Sequence, residues 1–483
     1  MKQPVSDIIV ERTIAPDGDS ARPVRLRFAD GKIAKVDGAV QSPPNGRLAM
    51  PALANAHDHG RGLRPLCYGA FDQALETWFT ALNIHPPIDP YANAAWAFAR
   101  MARSGIGLVV HCHMAVNEPK LIGAAEAVCR AARDIGIRLA FVVPMRDRSR
   151  LGYFPDDRVL ERVAPADRDA VRARWFSPLL PAAEQLAIAD EIARRCDGPL
   201  VDVLYGPASP HWCTNEMLEL VADASHRTGR RIHMHCLETR YQREFADAAF
   251  PEGLFPYLDK IGFLSERLTL AHGVYLRPDE MAMIADANAI VSLNACSNLR
   301  LRSGIAPAPA MQRHGVPLGV GIDALGVDDD EDGFRELRLT HLLHAGVSFD
   351  IGLRVSDLWQ AACRTGARAV TGRSDHGLLA PGVSADIAVL DYAALSRDVM
   401  PGILPDRELV LGRATRQHVR SLIIDGVEIM RDGRSLGIDQ DALETEVIGQ
   451  AMAVAERYAD AKPLVERLQA VLRQCYLDNL HRR

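Results

Sequence analysis

The chain has 483 residues, 48% hydrophobic and 24% charged, with a formal net charge of −6. That length supports one large core with a smaller satellite, and the mildly acidic balance without a long basic run gives no electrostatic footing for nucleic acid. No run of about 18 apolar residues is present to span a membrane, the N-terminal MKQPVSDIIVERT lacks a secretory apolar segment, and nine scattered cysteines without a CxxC fit reduced thiols. The expectation is a soluble, cytoplasmic protein.

Residues 1–50 read as short strands joined by tight turns. Val24 to Phe28 and Ile33 to Val36 flank Asp30-Gly31, a hairpin signal because glycine tolerates the positive φ of the turn. From about residue 50 to 375, short apolar runs alternate with longer helical patterns. Several helical patterns close on a glycine (Gly105, Gly136, Gly229, Gly315) just before the next apolar run, the position where a left-handed residue ends a helix. This repetition predicts a parallel sheet. Eight strands are expected, ending near His59, His113, Met145, Ser209, Glu238, Val274, Asn298 and Asp323. They predict a (β/α)8 barrel over residues 51–376, with Leu151 to Trp175 as an insertion. Strand character returns in GLLAPGVSADIAVLD and VRSLIIDGVEIMRDG. Residues 377–440 are therefore expected to pair with residues 1–50 in a small β-sandwich domain, since neither half is stable alone. Residues 441–483 read as a C-terminal helical extension on the outside.

The chemistry gathers at predicted strand ends. His57 and His59 are two apart, so both imidazoles project from one side of a strand, and neutral imidazole suits zinc or iron. IHMHCLET places His233 or His235 as a third ligand, with Glu238 beside a bound water. LTLAHGVYL brings His272, and VPLGVGIDAL brings Asp323. Each alone reads equally well as a satisfied core residue. Four polar strand ends together point to the barrel face where active sites assemble.

With these segments in view, the chain resembles the amidohydrolase superfamily, on the mononuclear-metal branch of heterocycle deaminases and chlorohydrolases that includes cytosine, guanine and S-adenosylhomocysteine deaminases. The resemblance runs through MPALANAHDHG, HMHCLET, LAHG, SLNACSNLRLRSG, GIDALGVDDDEDGFRELR and GLLAPGVSADIAVLD. It implies that His57, His59, His235 and Asp323 hold one divalent metal, with His235 chosen over His233 because it precedes Glu238 by three. It implies Asp323 as acceptor of the water proton, Glu238 as proton shuttle and His272 as the residue that orients or polarises the attacked group. Two-metal relatives use a carboxylated lysine on the fourth strand; VDVLYGPASPHWC has none, so a single ion is implied, zinc first and ferrous iron second. The implied activity is hydrolytic deamination of an amino-substituted purine, pterin, pyrimidine or triazine. The alternative keeps the metal site but expels chloride or opens a cyclic amide. A non-catalytic scaffold is disfavoured because all four ligands are retained. A homodimer or larger homo-oligomer is also implied.

Substrate contacts are expected from Arg64, His111, His113, Trp78, His211 and Asn298. Arg61 and Arg64 both follow the HxH motif closely, and either is suited to a carbonyl or an anionic group, with ion pairing as the ordinary alternative. His111 and His113 lack a nearby bridging carboxylate, so packing or substrate contact is preferred to a second metal. Trp78 and Trp212 are placed to stack on a planar ring. Ala208 stands where the family often has a histidine, with His211 slightly later, and the acidic run Asp328 to Asp332 reads as loop ordering.

Overall fold

A computed structural model describes residues 2–38, 41, 45–82, 84–114 and 120–482. At its centre lie eight parallel strands in sequence order: β1 (Leu53–Asp58), β2 (Ile106–Cys112), β3 (Arg138–Met145), β4 (Val201–Pro207), β5 (Ile232–Cys236), β6 (Leu268–His272), β7 (Ile290–Leu293) and β8 (Leu318–Val320). Their side chains are almost all buried on both faces, as a sheet walled by helices and filled by its own interior requires. Gly105, Gly136, Gly229 and Gly315 all adopt positive φ (81°, 100°, 72° and 81°) between a helix and the next strand. The βα alternation read from the sequence is thereby realised as a (β/α)8 barrel.

Barrel closure departs from a regular ladder. β8 is only three residues long, and the gap to β1 is crossed by the Asp323 amide donating to the His57 carbonyl (3.0 Å) and the Ile322 amide donating to Asn55 Oδ1 (3.0 Å). A Cβ on Gly321 would lie 2.8 Å from the His57 backbone, so this close approach requires glycine. Two strand ends also differ from expectation. β7 stops at Leu293 because residues Ala295–Arg300 turn into a helix that carries Asn298. β5 stops at Cys236, and Glu238 sits in the turn before helix Arg240–Ala249, whose first turn is capped by Thr239 Oγ1 accepting from the Gln242 amide (3.3 Å).

The chain ends build the second layer. Ile387–Asp391 pairs antiparallel with Arg47–Pro51 on one side and with Val419–Ile424 on the other, and Gln3–Pro4 pairs with Val427–Arg431. Against this sheet packs the meander Asp7–Val10, Val24–Ala29 and Lys32–Gly38, around a core of Val10, Leu26, Ile33, Ile387 and Ile423. The predicted hairpin is present, with Asp30 and Gly31 both at positive φ. The two segments thus form the small β-sandwich.

The insertion and the C-terminal extension are less peripheral than their charge suggests. Helix Lys462–Leu477 buries Val465, Leu468, Leu472 and Tyr476. The Tyr476 hydroxyl accepts from the Tyr153 amide (3.2 Å), and Arg467 pairs with Asp167 (2.7 Å). All nine cysteines are free and all except Cys67 are buried. Among the described residues, no helix is long and apolar enough to cross a membrane.

Candidate active site

His57 closes β1 fully buried, and His59 follows one residue beyond the strand. Their Nε2 atoms lie 3.1 and 3.0 Å from the same oxygen, Asp323 Oδ1. Among the described residues, His57 Nε2 nevertheless makes no hydrogen bond of acceptable geometry. His57, His59 and His235 each offer a nitrogen within 4.8 Å of the others, and His57, His272 and Asp323 form a second such set. The tautomers agree with a ligand role. His59 Nδ1 is 2.7 Å from the Cys112 carbonyl and His235 Nδ1 is 2.9 Å from the Ala208 carbonyl. Carbonyls only accept, so each Nδ1 carries the proton and each Nε2 is left as a lone pair. Three neighbouring imidazole nitrogens, with a carboxylate oxygen beside two of them and outer hydrogen bonds fixing the rings, fit a divalent metal. His233 meets the other ring nitrogen of His57: its Nε2 contacts His57 Nδ1 at 2.9 Å, so it orients that ring.

Asp323 is held from three directions. Its Oδ2 accepts from Ser297 Oγ at 2.5 Å. Burial alone would raise its carboxyl, but His57 and His59 outweigh that and hold it well below the ordinary range. Its backbone adopts φ +60°, and His272 adopts φ +76°. Non-glycine residues at positive φ concentrate where a site over-determines the backbone.

Glu238 is 3% exposed and faces His272, with Oε2 3.7 Å from His272 Nε2. Burial drives the Glu238 carboxyl well above its ordinary value, and the negative charges of Asp323 and Glu76 push the same way. Ser303 Oγ donates to Oε1 (3.3 Å), and the Glu238 amide donates to Gln242 Oε1 (2.8 Å). His272 Nδ1 contacts Asn298 Oδ1 at 2.9 Å, which leaves Nε2 turned towards Glu238 without a hydrogen-bond partner among the described residues.

These groups sit at the floor of a cavity of about 440 Å³ that opens at the C-terminal ends of the strands. His113, Trp78 and His211 line it, together with Arg61. Arg64 does not; it pairs with Asp329 (3.2 Å) outside the wall. His111 lies behind His113, 3.3 Å from it, and Asn298 meets His272 instead of the open cavity. Sequence reasoning passed over Asp58, which lies between the two histidines. It points to the opposite strand face yet is fully buried. Its carboxylate accepts from the amides of Gly60 (2.7 Å) and Ala324 (3.1 Å) and from Asn55 Nδ2 (2.8 Å). It therefore fixes the backbone next to His59 and next to Asp323. Burial pushes its carboxyl up to about 6. The missed signal was a carboxylate inside an otherwise apolar strand.

A profile described as "Amidohydrolase family" matches residues 48–429. The 5'-deoxyadenosine deaminase of Methanothermobacter thermautotrophicus is 28% identical over 400 residues, covering 80% of this chain and 83% of that protein. The crystal structure of an adenosine deaminase from Xanthomonas campestris with bound zinc superposes with a TM-score of 0.74 at 23% identity, covering 94% and 97% of the two chains. An atrazine chlorohydrolase variant from Arthrobacter aurescens, complexed with zinc and atraton, gives 0.76 at 20% identity, covering 91% and 98%. The likeness to these two structures is one of fold.

Proposed function

The chain belongs to the amidohydrolase family, and from that premise we propose that it is a metal-dependent hydrolytic deaminase of an amino-substituted nitrogen heterocycle, with His57, His59, His235 and Asp323 as ligands of one zinc ion. The observation that carries the reading is the buried pair Glu238 and His272 beside that donor set. A carboxyl whose hold on its proton is strengthened by burial is suited to deliver that proton to a ring nitrogen, a step that deamination of an aromatic heterocycle needs.

The metal, when bound, would supply Lewis-acid activation of water at neutral pH. The protein's groups do the rest. Asp323, kept ionised by its histidine neighbours, accepts the proton of the attacking water on its carboxylate. Glu238 gives a proton from Oε2 to the ring nitrogen next to the amino-bearing carbon. His272 Nε2, with its ring fixed through Asn298, orients the water at the attacked carbon. As the C–N bond breaks, the proton taken by Asp323 reaches the departing amine, the hydroxyl on the attacked carbon returns a proton to the Glu238 carboxylate as the carbonyl forms, and ammonia leaves. The apolar wall around Trp78 and Phe79 excludes bulk water and stacks on the planar ring.

The test is ammonia release from aminated purines, pterins, pyrimidines and triazines by protein loaded with zinc or, in parallel, ferrous iron. Activity that vanishes in His235→Ala and in Glu238→Gln supports the reading. Chloride release from a chlorotriazine, with silence on every amine, would replace it with the chlorohydrolase alternative.

A further inference from the structure

The cavity wall is electrostatically lopsided. Glu238 and Asp323, both in the reactive centre, are its only carboxylates among the described residues. Its remaining permanently charged side chains are all arginines: Arg61, Arg146 and Arg150. Arg150 is neutralised by Asp156 (3.0 Å). Arg61 has no carboxylate partner among the described residues. It is 5% exposed, and its Nη1 is buried without a hydrogen-bond partner among the described residues. Its guanidinium lies over the Trp78 ring, 5.4 Å from the centroid. The hydroxyl of Tyr68, on the same wall, is also buried and has no partner among the described residues. A buried guanidinium without a counter-ion is costly, and native interiors rarely leave such donors unmet.

We propose that the substrate carries a carboxylate on or beside its heterocycle, and that Arg61 with Tyr68 forms the subsite that holds it. The inference rests on the heterocycle-hydrolase reading and adds the substrate's charge to it. One guanidinium fork and one phenol match the two oxygens of a carboxylate. A phosphate would call for more donors, and no lysine lines the cavity among the described residues. Arg61 is two residues past His59 and stacks on Trp78, so the acid would anchor at one edge of a ring lying along the aromatic wall. Among the described residues Arg146 also lacks a carboxylate partner and buries an unpartnered Nη2, but its Nε donates to the Ser149 carbonyl (2.7 Å), which meets part of its donor set.

The test compares matched neutral and acidic amines on the zinc-loaded full chain: pterin with pterin-6-carboxylate, cytosine with 5-carboxycytosine, and adenosine with its 5'-carboxylic acid. In at least one pair the acid is expected to be favoured about 10- to 100-fold in kcat/KM. That ratio should collapse in Arg61→Met, recover in part in Arg61→Lys, and fall several-fold in Tyr68→Phe. Neutral members used as well as or better than their acids would overturn the proposal. So would Arg61→Met lowering both members of a pair equally, since Arg61 would then only order Trp78. If no amine is turned over, calorimetric binding of the three acids decides separately. Binding lost in Arg61→Met keeps the subsite while the deaminase reading falls; no binding, or binding indifferent to Arg61, removes the subsite as well.

Discussion

The amide of Asp323 donates to the carbonyl of His57 at 3.0 Å, while the Asp323 carboxylate lies 3.1 Å from the Nε2 of the same histidine. The contact that completes the barrel between β8 and β1 therefore joins two of the proposed ligands. Metal occupancy and barrel closure should be coupled, because a ligand that binds only the folded state stabilises it. Chelation is expected to lower Tm and added zinc to restore it, by about 2.7 kcal/mol when free zinc stands a hundredfold above Kd. Asp323→Ala should abolish that response. A wild-type Tm indifferent to chelator in a protein freed of metal would count against the ligand assignment.

Asp58 supports the same junction from behind. Among the described residues, its two oxygens accept from two backbone amides and the Asn55 amide. Asparagine would turn one oxygen into a donor against a donor. Asp58→Asn is expected to cost about 1–3 kcal/mol and to weaken zinc about 10- to 100-fold, as loss of an outer support does in other metal sites. Competition with a chromophoric chelator measures the second effect and thermal melting the first. Unaltered zinc affinity would reduce Asp58 to a purely structural group.

The barrel was legible because βα alternation and helix-ending glycines are local signals, and Gly105, Gly136, Gly229 and Gly315 carried them. His57, His59, His272 and Asp323 could be singled out because they punctuate apolar strands, whereas the choice of His235 over His233 beside Glu238 rested on the family resemblance of HMHCLET. What lay hidden depends on contacts distant in sequence. Arg61 and Arg64 look equivalent three residues apart, and only the fold gives Asp329 to Arg64 and leaves Arg61 facing the cavity. Asn298 reads as a strand end, yet a short helix carries it to His272. The C-terminal charge pattern suggested an outer helix, and its buried stripe becomes visible only where it meets the insertion.

Acid should loosen the joint between barrel and small sheet. Asp386, 1% exposed, accepts from Arg138 Nε (2.9 Å) and the Asp425 amide (2.9 Å) and contacts His376 Nδ1 (2.8 Å). Burial would raise its carboxyl, but the hydrogen bond from His376 and the charge of Arg138 outweigh burial and hold it far below the usual range. A carboxyl depressed on folding stabilises the native state above its unfolded pKa, about 3.9, and that contribution is lost as pH falls through the folded value. Asp386→Asn, which leaves Arg138 with Asp425 (2.8 Å) as its remaining carboxylate partner, should therefore cost about 1–3 kcal/mol at pH 7. The gap from wild type should narrow below about pH 4. Denaturant melts at pH 7, 5 and 3 check the sign; a gap that widens on acidification would contradict it.

The C-terminal helix reaches the reactive centre through a chain of contacts. The Tyr476 hydroxyl accepts from the Tyr153 amide (3.2 Å), the Tyr153 hydroxyl meets both Glu76 Oε1 (3.3 Å) and Gln242 Nε2 (3.3 Å), and Gln242 Oε1 accepts from the Glu238 amide (2.8 Å). Tyr476 also packs edge-on against the Tyr153 ring, with centroids 5.3 Å apart. Removing the ring should leave a cavity under the insertion and free the Tyr153 loop, so Tyr476→Ala is expected to cost about 3–5 kcal/mol. Tyr476→Phe, which deletes only the acceptor, should cost about 1 kcal/mol. Because Gln242 fixes the backbone of Glu238, the alanine variant should lose kcat at temperatures where it is still fully folded, with zinc content unchanged. A variant that melts early but keeps wild-type kcat when folded would confine the extension to a structural role.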